Sequence, residues 1–446
     1  MTMIYSSLNH ALRVPLAAEV HSRPFLRLEA PESLTHIAVY TRDEGDPTTS
    51  NATVQHAFLA ALCTHFGVTP PLQEAKYFYH DFGRFRLKWE CHTEFATYTF
   101  AGRHEAGTVA EAFERVPLFQ LPQEWLLGLK GKIMVAAHVV LDKSNGSAET
   151  FADGLERVFE GSMLVGSHVL QGGEVWTDFL IQSDGFSRFV VRDVGLHEQQ
   201  AGRLVQRVLE IETYRMMALL GLPHAQQATP ALNTIEGELA ALTAAMVNTD
   251  TSNGSPLPDT DDEQVLLGTI TRLAARIEKL SLANSYRFSA SQAYFSLVHA
   301  RIEELRESRI EGFPTVGEFM DRRLTPAMNT CQAIARRQEA LAERIAHSND
   351  LLRTRVGIVQ ERQNRQILHS MNTRAAQQLR LQQAVEGLSV VAISYYTVGL
   401  LSYVGKAAKA AGWSVNPDIA TALLLPLIAG GVWFGLRRMH KSIHAA

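Results

Sequence analysis

The residues with the most chemical potential lie together in Trp89-Glu90-Cys91-His92-Thr93-Glu94. On an extended strand His92 and Glu94, two residues apart, project from one face, a spacing that holds a metal ion once another ligand joins them. Near the start, Glu19, His21 and Arg23 offer further polar groups, His21 among them a candidate metal ligand beside His92 and Glu94. The same side chains also suit an ion-pair network across neighbouring strands, or a patch that binds a partner. The residue types alone leave these three readings open.

Elsewhere the common catalytic signatures are missing. The sequence has no phosphate-binding loop, dinucleotide fingerprint, HExxH or nucleophile elbow, and Gly161-Ser162 and Gly172-Gly173 are isolated pairs without the required spacing. No cofactor is implied. Lys and Arg number 42 against 46 Asp and Glu, a formal charge of −4, so no basic excess points to nucleic acid. Cys63, Cys91 and Cys331 are far apart and form no CxxC pair, which fits a reducing compartment better than a disulfide framework. The start, MTMIYSSLNHALRVPLAAEV, reads as lacking a secretory signal, because Arg13, Pro15 and Glu19 break its apolar pieces.

A membrane address is written at the other end. Gly387 to Gly405 and Ile419 to Leu436 are two charge-free apolar stretches. At ~1.5 Å per residue each reaches about 27 Å, enough to span a hydrocarbon core. Ser389, Ser394, Tyr395, Thr397 and Ser402 place hydroxyls in the first stretch, where they bond between helices or line a pore. Arg374, Arg380, Arg437, Arg438 and Lys441 flank the pair, against Lys406 and Lys409 between them. Five against two puts both termini in the cytoplasm, with the chain multi-pass in the inner (plasma) membrane.

Long helices must position whatever stands on that anchor. Leu266, Ile270, Leu273, Ile277 and Leu280 alternate steps of four and three, and Phe295, Val298, Ile302 and Leu305 resume the register. Between these runs Asn284, Arg287 and Ser291 fall on the seam, specifying register or meeting a ligand, partner or neighbouring domain. Gly312 and Pro314 break the helix, and a further one carries Ile334, Leu341, Ile345, Leu352, Val356 and Val359 toward the first span. The two long helices are expected as an antiparallel coiled-coil hairpin.

Leu222 to Glu263, rich in Ser, Thr, Asn, Asp, Gly and Pro, reads as a flexible connection around one short helix, Glu236 to Val247. Gln199 to Leu220 is amphipathic. Earlier, seven runs rich in Val, Ile, Phe, Tyr and Trp read as strands: 34–40, 75–82, 84–91, 94–100, 132–141, 175–182 and 186–191. Helices fall between them at 52–66 and 123–129. The expected fold class is an α+β membrane protein. It comprises an α/β sheet domain (1–195), a helix and linker (196–263), a helical stalk (264–386), two transmembrane helices (387–436) and a basic tail (437–446).

EVHSRPF (Glu19 to Phe25), WECHTEF (Trp89 to Phe95), VWTDF (Val175 to Phe179), RFSASQAY (Arg287 to Tyr294) and the stretch from Met371 to Tyr396 resemble a bacterial family of predicted membrane-anchored proteins, domain of unknown function 3422. That resemblance implies bacterial origin and anchoring, and no activity. The arrangement of sheet domain, long helices, two spans and basic tail is also similar to CorA-type magnesium channels, which are pentamers. This sequence lacks their Gly-Met-Asn signature after the first span, and Lys406 and Lys409 in the loop would repel entering cations.

The leading expectation is therefore a homo-oligomeric scaffold or tether that presents its α/β domain to a cytoplasmic protein partner. A CorA-like channel comes second, and a membrane-tethered metal enzyme using His92 and Glu94 third.

Overall fold

A computed structural model of the chain describes residues 9–21, 24–40, 51–105, 107–143, 147–197, 199–251, 260–412 and 416–443. The chain divides into two units, one of residues 1–250 with 270–347 and one of 251–269 with 348–446.

In the first unit, β1 (Glu32–Tyr40), β2 (Tyr77–Asp81), β3 (Arg86–Cys91), β4 (Phe95–Arg103), β5 (Lys132–Asp142), β6 (Val165–Val169), β7 (Gly173–Ile181), β8 (Ser187–Asp193) and β9 (Ser308–Arg309) form one sheet. Its order is β2-β3-β4-β1-β5-β8-β7-β6-β9. Only β5 and β8 pair in parallel; the other described pairs are antiparallel. All seven expected strands are present. The two that sequence reading misses are short: β6 lies in the glycine- and histidine-bearing VGSHV, and β9 has two residues.

Alternation along the strands sorts their side chains. Leu87, Trp89 and Cys91 of β3, Tyr98 and Phe100 of β4, and Ile37 and Val39 of β1 form one apolar cluster with Phe58, Leu59 and Leu62 of α2 (Asn51–His65). Trp125 of α4 (Gln123–Leu127) closes it, stacked 4.2 Å from Phe58, its indole N–H donating to the Phe58 carbonyl at 2.9 Å. A second cluster gathers Phe113 of α3 (Val109–Phe113), Ala152 of α5 (Ala148–Asp153), Val140, Trp176, Val190 and Ile310. Helix α1 (Arg13–His21) precedes the sheet, and α6 (Gln200–Leu219) covers its other face, burying Leu204, Val205, Val208 and Ile211.

The connection after α6 is a correction to the sequence reading. Rather than a flexible segment around a short helix, α7 (Gly221–Thr251) runs unbroken through HAQQATPALNT. Ala225, Ala228, Leu232, Ile235, Leu239 and Leu242 recur at steps of three and four and are buried. That burial outweighs a cost of ~3 kcal/mol for the exposed Pro230 within the helix. The remaining turn-rich residues, 252–259, lie outside the described residues.

Helix α8 (Thr260–Leu305) keeps the expected seam, with Ile270, Leu273, Ile277, Val298 and Leu305 buried. A capping box of Thr315 and Glu318 opens α9 (Val316–Arg323), after which α10 (Thr325–Ala410) begins. The expected pair of long helices is in fact a group of three. Arg276 of α8 donates to Glu238 of α7 at 2.7 Å, Arg337 of α10 to Glu236 of α7 at 2.8 Å, and Gln332 of α10 to Gln292 of α8 at 2.5 Å. The third helix is α7, which the polar composition of its sequence conceals.

In the second unit Arg355 of α10 donates to the buried Glu263 of α8 at 2.7 Å, and Leu352 and Val359 are buried. From Glu361 to Val385 the side chains of α10 are exposed, apart from a half-buried Gln363. One helix is long and apolar enough to cross a membrane among the described residues: the one containing α10, whose apolar window has a mean hydropathy of 1.5 and no buried residues. In α11 (Pro417–Ile443) the apolar portion, Thr421–Gly435, is shorter.

Candidate functional site

The face of the sheet beneath α6 is polar and nevertheless buried. Register sets Lys88 opposite Thr99, and Thr99 opposite His36, so β3, β4 and β1 carry these three side chains in one row. The next row is Glu90, Thr97 and Ala38. Above them α6 contributes Gln206, Glu210 and Thr213, and α8 contributes Arg301. The space between is a cleft of about 260 Å³, with Leu26, Leu34, Phe95, Val205 and Leu209 as its apolar walls.

Most polar groups in this cleft meet a partner. His36 is only 4% exposed. One imidazole nitrogen meets the Thr99 hydroxyl at 2.8 Å and the other the Thr213 hydroxyl at 3.1 Å. Burial, with Lys88 and His92 nearby, lowers its pKa to about 3, so the ring stays neutral. The Lys88 ammonium lies 3.1 Å from Glu90 and donates to Gln206 at 3.1 Å. Gln206 donates in turn to Glu210 at 2.7 Å, and Arg301 pairs with both Glu210 and Glu304. The Thr97 hydroxyl, in a residue 5% exposed, has no hydrogen-bond partner among the described residues. With Arg207, which pairs with Glu304 at 2.8 Å, three cations face three carboxylates, while hydroxyl protons remain to be given.

The expected placement of His92 and Glu94 on one strand is corrected. β3 ends at Cys91 and β4 begins at Phe95, so His92, Thr93 and Glu94 form the hairpin turn, where no pleat fixes a shared face. His92 stacks on Phe95, with 4.4 Å between the ring centres, at the edge of the cleft. Glu94 faces α8: Arg287 donates to it at 2.9 Å and the Tyr294 hydroxyl at 3.1 Å. Burial and the Glu94 carboxylate push the Tyr294 phenol up in pKa. The side chain of His21 and the whole of Arg23 lie outside the described residues. Among the described residues no group of three His, Cys, Asp or Glu is arranged to hold a metal ion.

The polar interruption of the seam has an internal counterpart. Asn284 approaches His224 of α7 at 3.3 Å, Arg287 reaches Glu94 and, at 3.4 Å, the Tyr40 hydroxyl, and Ser291 is packed against Gly221. A Cβ at Gly221 would lie 2.7 Å from the Ser291 hydroxyl, so the close approach requires glycine.

The hydroxyls of the apolar stretch bond mainly within their own helix: Ser389 donates to the Val385 carbonyl at 2.8 Å and Thr397 to that of Ile393 at 2.7 Å. Ser389, Ser394, Thr397 and Ser402 are half-buried, whereas Tyr395 is exposed and sits edge-on to Tyr396.

Sequence reading missed His36, Lys88, Thr97 and Thr99. For Lys88, Thr97 and Thr99 the signal was visible: polar residues at every second position in RLKWE and in ATYTF announce strands with one polar face. Nothing local says that a helix 170 residues away in the chain covers that face, as the contact of His36 with Thr213, 177 residues on, demonstrates.

The chain belongs to a family described as a protein of unknown function (DUF3422), whose pattern it matches over residues 8–443. No curated protein matches it. Among solved structures, one titled "structure of the full-length CmaX protein" is similar over 70% of this chain and 91% of that one, at 13% identity and a TM-score of 0.18. The sequence resemblance to magnesium channels gains nothing from these matches.

Proposed function

We propose that this member of the DUF3422 family is a membrane-anchored scaffold that holds its α+β unit at the cytoplasmic face, with α10 as the link to the bilayer. The observation that carries this reading is the apolar stretch of α10, charge-free from Gly387 to Gly405 and unburied in its most apolar window. Leaving Leu388, Val391, Leu400 and Val404 in water would forfeit roughly 25 cal/mol for each Å² of apolar surface, and a bilayer removes that cost.

The finer topology we propose is a two-span hairpin with both termini cytoplasmic. Leu423, Leu424, Leu425, Leu427 and Phe434 of α11 are likewise exposed. The half-buried Ser394 and Thr397, three residues apart, give the first span small side chains against which another helix can pack. A homo-oligomer extends the reading. Ile367, Met371, Leu379 and Leu381 of α10 are exposed, and apolar rows of this kind are shielded by a second copy or by a cytoplasmic protein partner. Membrane fractionation tests the anchor. The full chain is expected to stay with membranes through a high-salt wash, and a chain ending at Glu386 to appear in the soluble fraction. A truncated chain retained by washed membranes would overturn the assignment of the anchor to 387–446.

A further inference from the structure

The cleft under α6 has the composition of a binding site for a small uncharged molecule, and this inference stands independently of anchoring because every residue involved lies in the first unit.

Three observations define what the cleft would accept. The first is a surplus of donors. A neutral imidazole has one N–H and one lone pair, so of the two hydroxyls on His36 only one donates to the ring, and the other keeps a proton for a different acceptor. The Thr97 hydroxyl, buried and unpartnered among the described residues, adds another. The second is charge balance: Lys88 is compensated by Glu90, and Arg301 and Arg207 by Glu210 and Glu304, so a ligand bringing a full charge of either sign would enter the cleft without a free counterion. The third is shape. An enclosed apolar cavity of ~150 Å³ takes a benzene ring, and this cleft, at about 260 Å³, has aliphatic walls at Leu34, Val205 and Leu209.

We propose that the cleft binds a neutral molecule with a carbonyl or amide head and a short aliphatic body, the head accepting from Thr97 and the Thr99–His36–Thr213 group, and the body lying on the leucine and valine side chains.

Three six-carbon probes that differ only in the head separate the alternatives: hexanamide, hexanoate and hexylamine. They are added to the full chain in lipid nanodiscs, with empty nanodiscs as reference, and followed by saturation-transfer NMR and the shift in melting temperature. Hexanamide is expected to bind and the two charged probes not. Thr97→Val is expected to fold, since the hydroxyl it removes has no partner, and to weaken hexanamide roughly fivefold, about the worth of one hydrogen bond. Thr97→Ser, which restores the hydroxyl, is expected to bind as the parent does. Preference for hexanoate or hexylamine would overturn the neutral class. Hexanamide binding unchanged by Thr97→Val would place the ligand elsewhere. Failure of all three probes to bind would leave the cleft a hydrated structural cavity and overturn the proposal outright.

Discussion

Arg287 on α8 and Glu94 in the turn between β3 and β4 meet at 2.9 Å with both side chains buried, a contact that closes 193 residues of chain. Tyr294 and Tyr40 complete the group. In an interior of low dielectric such a pair contributes little net stability over an apolar pair of the same volume, but breaking it is costly because one charge is left alone.

Glu94→Ala is accordingly expected to destabilise the first unit by about 3–5 kcal/mol. Replacing both residues, as Glu94→Gln with Arg287→Met, is expected to cost less than the sum of the single changes. Urea denaturation of the four proteins gives the coupling, and strict additivity would show that the pair is not an energetic unit.

The seam offers a contrast between adjacent positions. Ile277 is 2% exposed, so Ile277→Asp places a carboxylate among apolar side chains at a cost of several kcal/mol. At Arg276, where the side chain is partly in solvent and paired to Glu238, Asp brings two like charges together at a cost of about 1 kcal/mol. Thermal denaturation ranks the two, and equal tolerance would put the seam on another face.

Strand alternation and the 3–4 spacing of the seam are local signals, and they located seven of the nine strands, the amphipathic α6 and the register of α8. Two things escaped for reasons of distance. The full length of α7 escapes, only Glu236 to Val247 reading as helix, because its first half is held by Ala225, Ala228 and Leu232, whose burial outweighs the propensities of its Gly, Thr and Pro residues. The cleft is the other: attention fell on His92 and Glu94 because of their types, whereas the cleft is lined by Lys88, Thr97 and His36, whose types are ordinary and whose burial is not. Polar seam positions such as Arg287 were legible as anomalies, and only the fold revealed Glu94 as the partner.

Two buried histidines make the first unit sensitive to acid. Burial lowers the pKa of His36 to about 3 and that of His138 to about 4. Both rings are neutral when folded and take up a proton near pH 6.5 when unfolded. Stability from them is thus complete above about pH 6.5 and falls as pH drops toward the folded values, because the unfolded state binds more protons there. Around pH 5 each contributes a slope of about 1.4 kcal/mol per pH unit. His36→Asn is expected to flatten the dependence of the urea midpoint between pH 5 and 6.5 by about one proton's worth. An unchanged slope would mean that His36 is protonated in the folded chain.

Topology is the prediction on which anchoring depends most directly. Two spans with cytoplasmic termini put the segment between α10 and α11 on the far side of the membrane, where Ala411 is exposed. The native cysteines, Cys63, Cys91 and Cys331, are all buried, so the parent chain is expected to resist a membrane-impermeant thiol reagent applied to whole cells. Ala411→Cys is expected to react with it from outside, and a cysteine introduced for the exposed Met371 only after the membrane is permeabilised. A reporter that works only in the cytoplasm, fused after Ala446, is expected to be active. Labelling at 411 with a silent C-terminal reporter would mean a single span with the C-terminus outside. Protection of both cysteines in intact cells, with the reporter active, would mean that the hairpin does not cross the bilayer.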